Sequence, residues 1–447
     1  MESIATPIPK SKGHWLIGDM RALVANPLNY IIAQRPKFGD MFQADTLMHK
    51  VVFAAHPDVA KHLLLDNHKN YYKSFDYEIL KLVLGEGLIG SDGEFWRKQR
   101  RLAQPAFHKK RIEGMFTAML EESEKMVARW ESYKGSGKSL ELNTEMTAVT
   151  VNIVAKTLFG THVDTSMEAI GKSIALLNGY ISARINNPLM PPPWVPTARN
   201  LQFKRDRKTL DDIIYKIIAD RRQHPGEHDD LLAMLMSATD EEGGEGMTDL
   251  QLRDEILTLF LAGHETSATS LTWMLILLSQ NPEALARAKK EATNVLGQGR
   301  MQMEDLGKLS YIRRVIDEGL RLYPPAWIVG RKALEDDVIH GFAVPKGYNV
   351  IVSTYLIHRH PDFWENPDKF DPDRFLPERV NPEQHKYAYF PFGGGPRMCI
   401  GNSFALMEMT ILLALILQKF DPRAGKQTWE MNPMVTLRIK GDVPFFV

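Results

Sequence analysis

The chain holds one cysteine in 447 residues, and it lies in FGGGPRMCIG, residues 392–401. A lone thiol excludes an internal disulfide and any multi-thiolate zinc or iron–sulfur site. It leaves Cys399 as a small buried side chain, a nucleophile or a single metal ligand. The surroundings suit an anionic sulfur. NSFALMEMTILLALILQKF, 402–420, reads as an apolar helix, which sets Cys399 just ahead of or at a helix N-terminus, where amides and the helix dipole stabilise a thiolate. Arg397 supplies a fixed cation two residues away, and the glycines allow close backbone approach. A cysteine hydrolase would need a histidine partner, and none of the 14 histidines stands in a recognisable partner motif.

A second cluster interrupts an apolar run: Ala262, Gly263, His264, Glu265, Thr266 and Ser267. Glycine inside a helix costs about 1 kcal/mol relative to alanine, and an acid among apolar residues costs more unless paired. The Thr266 hydroxyl can reach the Ala262 carbonyl four residues back, opening the helix beside Gly263 into a groove. A zinc-protease H-E-x-x-H reading fails, because Ala268 stands where the second histidine is needed. Glu318 and Arg321 share a helical face ahead of Pro324-Pro325. Alone they read as an ion pair of a few tenths of a kcal/mol. Trp96 and Arg100 stand one helical turn apart beside Arg97, Lys98 and Arg101, a pattern that also fits a solvated basic face.

Together these stretches resemble the cytochrome P450 monooxygenases. Phe392, Gly395, Arg397, Cys399 and Gly401 match the family's F-x-x-G-x-R-x-C-x-G signature. Ala262 to Ser267 look like its A-G-x-E-T-S motif, Glu318 and Arg321 its E-x-x-R, and Pro372-Asp373-Arg374-Phe375 its later P-x-R-F. The resemblance implies heme b, with Cys399 the axial thiolate, Arg397 on a propionate and Phe392 beside the sulfur. A thiolate ligand pushes electron density to iron and favours O–O cleavage. It further implies O2 in the groove at Ala262 and Gly263, with Thr266 and Glu265 organising proton delivery. Trp96, Arg100 and Arg331 would hold propionates, and Glu318, Arg321 and Arg374 would form a structural triad. The implied reaction inserts one oxygen atom from O2 into a C–H bond of a lipophilic small molecule, a fatty acid or else a terpenoid, steroid or polyketide. A non-enzymatic heme sensor or carrier would not need the Glu265–Thr266 pair. By family position the substrate pocket draws on Phe75, Ile79, Leu82, Val83, Ala326, Trp327, Ile328, Val329, Val435, Thr436 and Leu437, with Lys50 a candidate partner for a carboxylate.

The elements that must position these residues follow from pattern. Thr248 and Gln251 form a capping-box pattern that opens a helix running to Gln280, where Asn281-Pro282 ends it. Helical spacing recurs over Ile112–Tyr133 and Leu210–Arg222, and β signals appear at 41–45, 51–55, 348–356 and 434–440. NNPLMPPPWVPT at 186–197 and DEEGGEG at 240–246 read as loops. The class is mainly α with small β sheets, and the motif order over residues 96–401 favours a single large domain, 1–447, enclosing heme.

The 55 Lys+Arg balance 55 Asp+Glu, with 44% hydrophobic and 25% charged residues, so nucleic acid is not an expected partner. The N-terminus carries neither a signal peptide nor an apolar span, and the glutamate in the long helix opposes a membrane reading. A cytoplasmic, unanchored monomer is expected. With no flavin or ferredoxin segment after the last hairpin, electrons would come from a separate ferredoxin or flavodoxin with its reductase, docking on Arg97, Lys98, Arg101, Lys109, Lys110 and Arg111.

Overall fold

The computed structural model describes the chain apart from residues 1–4, 47–48, 161–172, 174–175, 178, 186, 188–189, 225, 227–229, 240–243, 245 and 427. Parts of the loops expected at 186–197 and 240–246 therefore lie outside the described residues. Nine helices carry the argument: α1 (Phe75–Leu84), α2 (Gly93–Ala103), α3 (Phe116–Trp130), α4 (Leu142–Phe159), α5 (Ala198–Gln223), α6 (Asp249–Gln280), α7 (Pro282–Leu296), α8 (Ser310–Leu322) and α9 (Asn402–Lys419).

The long helix α6 starts as its sequence dictates. Thr248 caps it, the Gln251 amide donates to the Thr248 hydroxyl, and the Gln251 side chain accepts the Thr248 amide at 2.8 Å. Residues from Leu252 to Leu278 are largely buried, so α6 runs through the helical core with α4, α8 and α9 packed around it. Gly263 makes that contact close: a Cβ there would meet Val154 of α4 at 3.0 Å.

A five-stranded sheet lies to one side. Its strands are β1 (Met41–Ala44), β2 (Val51–Ala54), β3 (Tyr71–Lys73), β4 (Val329–Ala333) and β5 (Asn349–Val352), in the order β1-β2-β5-β4-β3. Only the β2–β5 pairing is parallel. A separate hairpin joins β6 (Met431–Pro433) to β7 (Leu437–Ile439).

Three expected elements differ. The helix over Ile112–Tyr133 is two, Lys109–Gly114 and α3, divided at Met115 behind Gly114. The β signal at 348–356 yields a strand only to Val352; Ser353 then caps a helical turn, Thr354–Ile357, by accepting the Leu356 amide. The signal at 434–440 is strand only from Leu437. Helix α9 is long and apolar enough to cross a membrane, yet it is mostly buried in the core, as a central helix of a globular fold would be.

Candidate active site

Gly395 fixes the loop that carries Cys399. Its φ is +65°, and a Cβ would collide with the Leu64 carbonyl at 1.7 Å, so only glycine fits. The Cys399 amide donates to the Phe392 carbonyl at 2.9 Å, which closes the loop ahead of α9. The thiol lies deep in the protein, and the surface it exposes opens into a cavity of about 340 Å³. Burial pushes its pKa up, while the Gly401 amide and the Arg100 charge pull the other way. A bound metal cation would reverse that balance by holding the thiolate.

The cavity gathers residues from distant elements. Trp96 and Arg100 of α2, Ala262, Gly263 and Thr266 of α6, Ala326, Val329 and Arg331, and Phe392, Arg397 and Gly401 all line it. Gly395 itself borders the loop rather than the cavity. Thr266 Oγ1 donates to the Ala262 carbonyl at 2.7 Å, as its spacing predicts.

Its polar rim has an unusual charge pattern. Lys73 and Arg331 are direct cross-strand partners of β3 and β4, an arrangement of like charges that destabilises a sheet unless an anion lies between. Lys73 is held well below its ordinary pKa by burial and by Arg397. Arg397 pairs with Asp92 at 2.6 Å and stacks over the Trp96 ring at 4.1 Å. Burial also lowers the Arg100 pKa, and its Nε has no hydrogen-bond partner among the described residues. Four cations around an apolar chamber with a single thiol, of which Arg397 is paired with Asp92, fit a flat apolar group that bears carboxylates and a thiolate-binding metal. Heme b has that chemistry.

A family-wide sequence profile described as Cytochrome P450 matches residues 8–442. The chain belongs to the cytochrome P450 family. Cyclooctatin synthase of Streptomyces melanosporofaciens is 34% identical, the match spanning 95% of this chain and 90% of that protein. Cyclooctat-9-en-7-ol 5-monooxygenase of the same organism is 32% identical over 91% of this chain and 88% of that protein. The crystal structure of the cytochrome P450DA heme domain superposes with a TM-score of 0.90 at 29% identity, covering 99% of this chain and 98% of that one. The P450 cofactor is heme b, which supplies O2 binding and O–O cleavage when bound, and the chain is an oxidoreductase of the monooxygenase type that uses O2 and external electrons.

Around that cofactor site the P450 fold arranges a second, wider cavity of about 670 Å³. The two share Tyr77, Ile89, Ala262, Thr266 and Ala326 in their walls. Glu265 faces the wider one and is held from β7 and its turn: Thr436 Oγ1 donates to Oε1 at 2.7 Å, and Arg438 pairs with the same oxygen at 2.8 Å. Phe75, Ile79, Trp327, Ile328, Val435 and Thr436 line this cavity as expected.

Four expected pocket positions do not. Val83 shares a face with Phe75 and Ile79 at four-residue spacing, yet it lies one turn further along α1, where the face is already covered, and is 3% exposed in the core; Leu82 packs against the same core. Leu437 is fully buried under Trp327, its carbonyl accepting the Trp273 indole N–H at 2.8 Å. Lys50 is exposed and borders neither cavity; His49 and Val51 on either side do border the wider one.

The Glu318 carboxylate receives Arg321 Nε at 2.7 Å, Arg321 Nη2 at 2.8 Å, Arg374 Nε at 3.1 Å and the Asp371 amide at 2.9 Å. Lys73, Asp92 and Arg438 were not legible as site residues. Asp92 stands at the N-cap of α2, a position that acidic residues favour and the one signal available. Lys73 and Arg438 come from short strands with no local signature.

Proposed function

We propose that the protein hydroxylates a C–H bond of a bulky, largely hydrocarbon molecule, with Cys399 as the iron ligand and Arg100, Arg331, Arg397, Trp96 and Lys73 holding the propionates. Thr266 and Glu265 carry protons toward the reacting oxygen, Thr266 from the wall common to both cavities and Glu265 from its anchorage on Thr436 and Arg438. Residues 1–447 act as one heme domain. The chain works in the cytoplasm as a monomer, taking electrons from a ferredoxin or flavodoxin at the basic face of Arg97, Lys98, Arg101, Lys109, Lys110 and Arg111.

The observation that carries the substrate class is the wall of the wider cavity. It is mostly apolar, and its charged groups are Asp76, Glu78 and Glu265 against Arg184. Such a wall favours a neutral hydrocarbon skeleton over a carboxylate, in keeping with the alkenol substrate that one relative's name states. A fatty acid is the second reading, supported by Arg184, whose buried Nε lacks a hydrogen-bond partner among the described residues.

Titrating the heme-loaded protein with a cyclic alkenol and with a long-chain fatty acid decides between them. The alkenol is expected to shift the Soret band with at least tenfold tighter affinity. Tighter fatty-acid binding that Arg184→Leu abolishes would establish the second reading instead.

A further inference from the structure

We propose that His56, Asp58 and His340 form a surface site for one divalent transition-metal ion of the zinc class, with His385 orienting the carboxylate. None of the four lines either cavity. They come from three separate segments: His56 and Asp58 open the short helix Pro57–Lys61, His340 occupies the tip of the hairpin Asp337–Ile339/Phe342–Val344, and His385 precedes the turn Lys386–Ala388.

One potential ligand atom from each of His56, Asp58 and His340 lies within 4.8 Å of the other two. Asp58 Oδ2 stands 3.5 Å from His56 Nδ1 and 3.4 Å from His340 Nδ1. Both separations are long for a hydrogen bond. They match the edge of a tetrahedron built on zinc–nitrogen and zinc–oxygen bonds, about 3.4 Å.

The protons point the same way. His56 Nδ1 accepts the Asp58 amide at 3.2 Å, so it is the unprotonated nitrogen; its one lone pair is directed at that amide, and a metal ion would take it in place of the cap hydrogen bond. His385 Nδ1 accepts the Tyr387 amide at 3.1 Å, which leaves the proton of its neutral ring on Nε2, 3.3 Å from Asp58 Oδ1. This is how a second histidine layer fixes a metal-binding carboxylate.

The backbone supplies an independent sign. His340 and Gly341 have φ of +50° and +81°, the paired left-handed residues of a tight hairpin turn. Asn, Asp or Gly normally takes the first of these positions. Here an imidazole takes it, stacked on His56 at 4.4 Å between ring centres. Two imidazoles and one carboxylate select zinc, nickel, cobalt or copper over magnesium and calcium. Solvent completes the shell, since Asp58 and His340 are exposed. The ion would staple the hairpin to the start of the helix.

The test uses untagged, heme-loaded protein equilibrated with zinc chloride, dialysed against metal-free buffer and assayed for retained zinc and thermal midpoint. One zinc per chain and a raised midpoint are expected. His340→Asn keeps the turn, because Asn accepts positive φ, and should weaken zinc at least tenfold and remove the rise, leaving the heme spectrum unchanged. His385→Gln, which leaves the hairpin untouched, should weaken zinc as well. No zinc on the wild type, or equal zinc on His340→Asn and Asp58→Asn, would overturn the site.

Discussion

Glu408 shows how much a single residue inside this core is constrained. It is fully buried on α9, and neither carboxylate oxygen has a hydrogen-bond partner among the described residues. Burial raises its pKa from 4.5 to about 8, against the nearby Ser267 hydroxyl, so it is neutral at pH 7. The unfolded chain ionises above pH 4.5 and the folded chain does not until about 8. Stability from this residue is therefore full below 4.5 and falls by about 1.4 kcal/mol per pH unit between the two values. Glu408→Gln removes that dependence. Its unfolding free energy relative to wild type, measured by urea titration, should rise steadily from pH 5 to 8; a constant difference would mean that Glu408 is already ionised in the fold. The sequence places an acid in an apolar helix at this position but not the helix α6 against which it lies, so its burial was not legible.

At the scale of elements, the Glu318–Arg321–Arg374 cluster ties α8 to the segment that follows β5. Arg321 is fully buried. It donates to Glu318, to the carbonyls of His358 and Pro367 at 2.8 and 2.6 Å and to Lys369, so all of its N–H groups are used. Arg321→Ala leaves Glu318 charged with only Arg374 and the Asp371 amide for partners, a loss of about 3–5 kcal/mol. Thermal unfolding should show a large drop in midpoint with poor heme retention, whereas an unchanged midpoint would make the cluster dispensable. Motifs of this kind were readable because residue types and short spacing specify them. Helix boundaries at Thr248 and Asn281 were readable from capping chemistry and proline. The reach of the cavity along α1 was not: Phe75, Ile79 and Val83 share an apolar face, and only packing against the core decides how far along that face the cavity extends. Strand β7 likewise hides its register, so Leu437 and Arg438 exchanged their expected relevance.

Across the whole molecule, the helical core and the sheet meet at the two cavities, and the thiol, the four rim cations and the α6 groove converge there from residues 73 to 399. Composition reported none of this, since 55 positive and 55 negative charges cancel globally while four cations gather at one rim. That local excess suits an anionic group, and the proposal that Cys399 holds its metal is open to direct test. The most direct measurement is the absorption spectrum of the dithionite-reduced, CO-bound protein beside that of Cys399→Ser. A strongly red-shifted Soret band in the wild type that disappears in the variant is the predicted result. The same CO spectrum in both proteins would contradict thiolate ligation by Cys399.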